Sequence, residues 1–97
     1  MNKVILKGRL TKDVELKKTK NKKEYAVFTV AVPRFKPDET DFISCVSWGD
    51  SAEFLKKYFS KGQEILLTGR IKVVNEDEKY STFVEVDSVE FCGSKKE

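Results

Sequence analysis

Residues 41–49 have the sequence DFISCVSWG, which includes Trp48, the only tryptophan of the chain. Alternate side chains of a β-strand point to opposite faces. Phe42 and Trp48 would therefore share one face, and Ile43 and Cys45 would share the other. Both faces are half apolar, so either the two rings belong to the core or they are displayed to a ligand that binds flat apolar surfaces. The alternation predicts a strand and leaves both facings open.

Composition predicts one soluble domain. The chain has 97 residues, of which 39% are hydrophobic and 36% charged, enough apolar material for a single core and too much for a disordered tail. No apolar run reaches the length of a membrane span, and Lys3, Lys7 and Arg9 interrupt any signal-like segment at the N-terminus. We expect a cytoplasmic protein without a membrane partner.

The residue types argue against catalysis. The chain has no histidine, the commonest general base and metal ligand, and no glycine-rich phosphate loop. Cys45 and Cys92 are isolated and are interpreted as reduced thiols rather than zinc ligands. The acidic run from Glu76 to Glu78 is expected at a hairpin tip, not at a metal site. We predict no enzyme, no catalytic residue, no metal or other cofactor and no small-molecule substrate.

The charge is distributed unevenly along the chain. Residues 1–36 carry eleven basic and three acidic residues, a balance of +8, whereas residues 37–97 carry a balance of −5. Solvated surfaces usually mix the two signs. A basic first third therefore favours a polyanionic partner such as nucleic acid.

The pattern N-terminal to Asp41 predicts strands. Residues 3–10 alternate between an apolar set and a largely basic set, and the strand pattern resumes after Asp13. A polar turn near residues 19–22 precedes a second long strand at about residues 24–32. Pro33 and Pro37 are expected to stop pairing, and residues 37–40 to form a turn before the third strand, residues 41–48.

A helix is predicted at about residues 51–60. Asp50 with Glu53 resembles a capping box at its start, and Gly62 would follow its end. One apolar face is expected, formed by Ala52, Leu55, Tyr58 and Phe59.

Two further strands are predicted at residues 64–74 and at about residues 80–91, joined by a tight acidic turn at residues 75–78. Three strands, a short helix and two strands are the element order of an all-β OB-fold, a five-stranded Greek-key β-barrel. The alternative is a different five-stranded α+β barrel. Gly8 and Gly69 fall on the inward side of their strands, where a barrel bends or packs closely.

The ordered motifs resemble those of the bacterial and phage single-stranded DNA-binding proteins. MNKVILKGRLTKDVEL, AVFTVAV, DFISCVSWGDSAEFLKKYFSKGQEILLTGRI and YSTFVEVDSVEF carry the similarity, which covers about residues 2–91. The resemblance implies an OB-fold that binds single-stranded DNA without sequence preference during replication, recombination and repair.

The resemblance also implies stacking aromatics. Two of them are expected on the third strand six residues apart, which fits Phe42 and Trp48, with Phe35 and Tyr80 nearest to two further positions. The basic candidates for phosphate contacts are the outward-facing Lys7, Arg9, Arg34, Arg70 and Lys72. On this assignment the rings of Phe42 and Trp48 face the DNA while Ile43 and Cys45 face the core.

Family members typically form homotetramers and carry an acidic C-terminal tail, whereas this sequence stops at FCGSKKE. We expect a binding domain at residues 1–92, a frayed charged end at residues 93–97 without that tail, and a cytoplasmic, nucleoid-associated homo-oligomer, tetramer before dimer. Two other functions remain open for the chain. It could be a primosome-type OB-fold adaptor, or an OB module that binds structured RNA.

Overall fold

A computed structural model describes residues 1–36 and 38–92 of the chain. The elements are, in order, β1 (Val4–Leu10), β2 (Glu15–Lys18), β3 (Glu24–Pro33), β4 (Thr40–Trp48), α1 (Asp50–Tyr58), β5 (Glu64–Glu76) and β6 (Lys79–Phe91). Pro37, in the turn predicted before the third strand, and the frayed end predicted at residues 93–97 lie outside the described residues.

The strands form one closed sheet in the order β1-β5-β6-β4-β3-β2. Closure comes from a second pairing of β1 with β3, Arg9 opposite Ala31 and Leu10 opposite Val30. β4 and β6 pair in parallel, and the other pairings are antiparallel. The predicted OB-fold barrel is confirmed. The count of strands differs only because residues 15–18, which pair with β3, form a short strand separate from β1.

The core follows the predicted period of two. Inward residues of β1, β3, β4, β5 and β6 pack with α1 into one cluster, whose members include Leu10, Phe28, Val30, Leu55, Ile65 and Leu67. Cys45 belongs to this cluster. Burial raises the pKa of its thiol to about 12, so it is protonated at neutral pH, and both cysteines are free, as predicted.

Gly8 and Gly69 allow two close approaches that shape the barrel. A Cβ atom on Gly8 would overlap the carbonyl of Ala31, and one on Gly69 would overlap the carbonyl of Glu85. The pairing of β5 with β6 also shifts register between Thr68 and Gly69, the kind of irregularity that bends a strand. The predicted inward placement of both glycines is confirmed.

The helix differs from its prediction at both ends. It begins at Asp50, after Gly49, which adopts φ 62° and provides no side-chain cap. The capping box from Asp50 and Glu53 is therefore wrong: the N–H of Glu53 donates to the Gly49 carbonyl at 3.2 Å, and its side chain hydrogen-bonds that of Glu24, a contact that raises the pKa of Glu53.

The helix ends at Tyr58, two residues earlier than predicted, so Gly62 lies in the following turn with φ 85° and not directly after the helix. Ala52, Leu55 and Phe59 are buried as expected, but Tyr58 is exposed. The buried face of the helix is narrower than predicted, because Tyr58 packs instead against the ring of Phe54, with ring centroids 4.9 Å apart.

Both predicted hairpins are present. Lys22 takes a positive φ in the turn between β2 and β3, as do Asp77 and Glu78 between β5 and β6. Pro33 does not stop pairing: it is the last residue of β3 and lies opposite Thr40, because a strand end loses only one hydrogen bond to a proline. The single helix among the described residues is too short and too polar to cross a membrane.

Candidate nucleic-acid interface

The two faces of β4 are occupied differently. Cys45 is fully buried, and Ile43 is partly buried against the core. Phe42 and Trp48 point outward, with 67% and 39% of their surfaces exposed. The question raised by the alternation of this strand is answered: the small and aliphatic residues are inside, and the rings are on the outer surface. The predicted facing is confirmed.

The ring of Trp48 contacts three other side chains. Tyr25 of β3 lies opposite it in the sheet, with ring centroids 5.1 Å apart and planes tilted by 37°. The indole Nε1 donates a hydrogen bond to Glu85 Oε2 at 3.2 Å. Lys23 Nζ lies 5.8 Å from the ring centroid, within cation–π range. These contacts fix the plane of the indole at the end of β4.

The outer face of β3 and β4 is largely apolar between the two rings. Its half-buried members are Val27, Thr29 and Ala31 on β3 and Val46 on β4, with Phe83 on the adjacent part of β6. Two hydroxyl groups lie near its middle, where Thr29 pairs with the exposed Ser44. The six residue steps from Phe42 to Trp48 correspond to about 20 Å along a strand. The barrel thus has a core on one side of these strands and a largely apolar strip, here called the outer strip, on the other.

Phe42 lies at the other end of the outer strip, at the rim of a cleft. The cleft has a volume of about 450 Å³ and is lined mainly by apolar side chains, among them Val4, Leu6, Ile71 and Phe83. In contrast to Trp48, Phe42 pairs with the small Ala31 across the sheet. Its ring therefore has open space around it.

Two of the predicted basic residues lie close to Trp48. Arg70 donates from Nε and Nη2 to Glu85 Oε1, at 3.0 and 2.6 Å, and Lys72 Nζ is 3.8 Å from Glu85 Oε2. The contact with Arg70 is the main cause of a lowered pKa of Glu85, and it raises the pKa of Arg70. Arg70, Lys72 and Trp48 are thus brought together by one carboxylate.

Arg34 lies beyond the Phe42 end, directly after β3. Its guanidinium contacts Asp41 at 2.9 Å and Glu39 at 3.1 Å. Asp41 is the main cause of a raised pKa of Arg34. This side chain is exposed but paired with two carboxylates in the protein as described.

Lys7 and Arg9 are not part of this group. They project outward from β1, as predicted, but they lie opposite the beginning of β5, whereas Arg70 and Lys72 follow later in that strand. Lys7 is 3.9 Å from Glu64, and Arg9 donates to the Gly62 carbonyl at 2.9 Å. The structure thus divides the predicted cations between two parts of the barrel.

Neither of the two remaining aromatic candidates is a member of the outer strip. Phe35 is fully exposed in the segment between β3 and β4. Tyr80, near the start of β6, is exposed and shares its side of the strand with the buried Val84 and Val86, opposite to that of Phe83 and Glu85. The structure therefore does not group Tyr80 with Trp48.

Sequence reasoning missed Tyr25, Phe83 and Glu85, and it missed the contact of Lys23 with the ring of Trp48. Tyr25 and Phe83 both have outward parity in predicted strands, which was an available signal. Their proximity to Trp48 or Phe42 depends on the pairing of β3, β4 and β6, which the alternation within one strand does not specify.

Comparisons with known proteins agree with this fold. The model of a family described as "Single-strand binding protein family" matches residues 1–92. A single-stranded DNA-binding protein of Fusobacterium nucleatum is 45% identical, over 98% of this chain and 69% of its own length. One of Clostridium perfringens is 42% identical, over 97% of this chain and 67% of its own.

A solved structure also matches. A crystal structure of a deletion mutant of the single-stranded DNA-binding protein from Thermus aquaticus superimposes with a TM-score of 0.83 at 27% identity. The match covers 100% of this chain and 43% of that one, so the chain spans less than half of the solved protein.

Proposed function

This chain belongs to the single-strand binding protein family, and from that premise we propose that it binds single-stranded DNA without sequence preference through the outer strip. Proteins of this family bind DNA and are not enzymes, so the chain is not an enzyme. The observation that carries the proposal is the outward facing of Phe42 and Trp48 at the two ends of a largely apolar surface. Flat exposed rings stack on any base, because every base has a π-face.

Stacking supplies the part of the affinity that does not depend on charge. Each stacked base contributes about 1–3 kcal/mol. Trp48 is already held by Tyr25 and Glu85, so stacking a base on it costs little side-chain entropy. Phe35 and Tyr80 are further, separate platforms that a longer strand would reach.

Cations supply the charge-dependent part of the affinity, because pairing them with phosphates releases the counterions of the DNA. Arg70 and Lys72 flank Trp48, and Arg34 is near Phe42, so these three would follow a strand laid along the outer strip. Lys7 and Arg9 on β1 would contact a strand that continues around the barrel.

We further propose that residues 1–92 are the binding domain of a homo-oligomer, a tetramer in preference to a dimer, which acts on DNA in replication, recombination and repair in the nucleoid-associated cytoplasm. The observation that supports assembly is a partly unpaired edge of β1. Among the described residues, β3 pairs only with Arg9 and Leu10 of β1, so residues 4–8 have one edge available for another strand. Ile5 is exposed on the outer face of that segment.

Intrinsic fluorescence provides a direct test, because Trp48 is the only indole. Titration with oligo-dT, duplex DNA and hairpin RNA at one salt concentration should quench the emission strongly with oligo-dT and much less with the other two. Binding should weaken as salt rises. A preference for duplex DNA would contradict the proposal, and a preference for hairpin RNA would favour an OB module for structured RNA. Weak binding to all three would favour an adaptor that mainly contacts proteins.

A further inference from the structure

One carboxylate on the outer face, that of Glu85, has three partners. Its Oε1 accepts both hydrogen bonds from Arg70, at 3.0 and 2.6 Å. Its Oε2 accepts the indole hydrogen bond of Trp48 at 3.2 Å and lies 3.8 Å from Lys72 Nζ. Both oxygens are therefore occupied by groups that the proposed function assigns to DNA.

The position of Glu85 in the sheet explains this convergence. It is opposite Arg70 of β5 on one side and Val46 of β4 on the other, so it lies between the cations and the end of β4 that carries Trp48. Its side chain is 18% exposed, compared with 54% for Arg70 and 46% for Lys72. The acid is thus shielded beneath two cations that remain accessible from solvent.

We propose that Glu85 is a positioning residue that orients Trp48 and holds Arg70 and Lys72 beside it, and that it competes with DNA phosphate for these two cations. This inference rests on the proposed function. A guanidinium binds a carboxylate and a phosphate through the same planar fork of donors. A phosphate can therefore replace Glu85 on Arg70 without any rearrangement of the barrel.

The competition reduces what the cations contribute to binding. A cation that is already paired must give up its carboxylate before it pairs with a phosphate, and the carboxylate that it leaves remains close to the DNA. The net gain from Arg70 and Lys72 is then smaller than for two unpaired cations. A carboxylate under the cations would therefore limit affinity while it keeps the indole in place for stacking.

The variant Glu85→Gln separates these two roles. Glutamine keeps an oxygen that can accept the Trp48 hydrogen bond but removes the negative charge. We expect the dissociation constant for fluorescein-labelled oligo-dT, measured by anisotropy, to fall by about fivefold at low salt. The plot of log K against log salt concentration should also become steeper by about 0.7 for each cation released, or about 1.4 for two.

Glu90→Gln is the matched control. Glu90 is an exposed residue of β6 that lies opposite Leu66 of β5, beyond the register shift, and its carboxylate makes no hydrogen bond or ion pair with the described residues. Both variants change the net charge equally, so a long-range effect of charge would appear in both. Only Glu85→Gln should steepen the salt dependence.

A second comparison uses the cations themselves. In a protein that carries Arg70→Ala and Lys72→Ala, the further change Glu85→Gln should tighten binding no more than the control substitution does, because no cation remains to be released. Glu85→Thr, with a residue suited to a strand, repeats the measurement if the glutamine variant is poorly folded by circular dichroism.

The outcomes distinguish the two proposals. If the unaltered protein does not bind oligo-dT, the proposed function fails and the inference falls with it. If the unaltered protein does bind, the role of Glu85 as a competitor can fail separately. That role is overturned if Glu85→Gln binds oligo-dT no more tightly than the unaltered protein, or if its affinity changes without a steeper salt dependence.

Discussion

The two ends of β4 display their aromatic rings in different ways. Trp48 is fixed by Tyr25, by the carboxylate of Glu85 and by the nearby ammonium of Lys23. Phe42 has the small Ala31 opposite it and an open cleft beside it. The same strand therefore carries one prearranged platform and one that is free to adjust. We infer that the Trp48 end anchors a bound strand and that the Phe42 end accommodates variation in the path of the DNA.

The largest expected effect is on folding and tests the inner side of β4. Ile43→Ala removes a side chain packed against the core, and the free energy of unfolding should fall by about 3 kcal/mol, in the lower half of the range for such truncations because Ile43 is only partly buried. Urea denaturation measures the loss. The folded fraction should bind oligo-dT normally. If Ile43→Ala left stability unchanged, the assigned facing of β4 would be incorrect.

The next effect is expected at the anchored end. Trp48→Ala should weaken binding of labelled oligo-dT by about 2–3 kcal/mol, the upper part of the range for a stacked base, because a prearranged ring is lost. Trp48→Phe is the matched control, since it keeps a ring but loses the hydrogen bond to Glu85, and its loss should be intermediate. Equal losses for the two variants would show that the ring itself contributes little.

A smaller loss is expected at the free end. Phe42→Ala should weaken binding by about 1–2 kcal/mol, and its melting temperature should stay close to that of the unaltered protein because the ring is mostly exposed. Anisotropy titration and thermal denaturation give the two values. A loss larger than that for Trp48→Ala would reverse the assignment of anchored and free ends.

The smallest effect on DNA binding is expected from Tyr25, whose ring packs against Trp48. Tyr25→Leu keeps an apolar side chain but removes the ring that faces the indole, and an aromatic pair of this kind contributes about 0.5–1.5 kcal/mol. Binding of oligo-dT should weaken by about 1 kcal/mol or less. The same change combined with Trp48→Ala should add almost nothing further. Additive losses would mean that Tyr25 contacts DNA independently of Trp48.

Much of the fold could be predicted from local patterns. The alternation in residues 3–10 and 64–69 correctly identified the inward residues of β1 and of the first half of β5, since the period of a strand is fixed by its pleat. Gly8 and Gly69 were placed correctly for the same reason. Ile71 and Val73, which the same alternation placed inward, are exposed. The helix ends were not, because whether Gly49 or a side chain begins a helix depends on the backbone path that enters it.

Local sequence patterns were sufficient to predict the element order, the OB-fold and the two possible facings of β4, because each depends on residues close together in the chain. The groups that surround the exposed rings depend instead on how the strands pair. Tyr25 meets Trp48, and Glu85 joins Arg70 to Trp48, through pairings between strands that are distant in sequence. Register is set by the packing of the whole barrel, so no single strand encodes the identity of its neighbours.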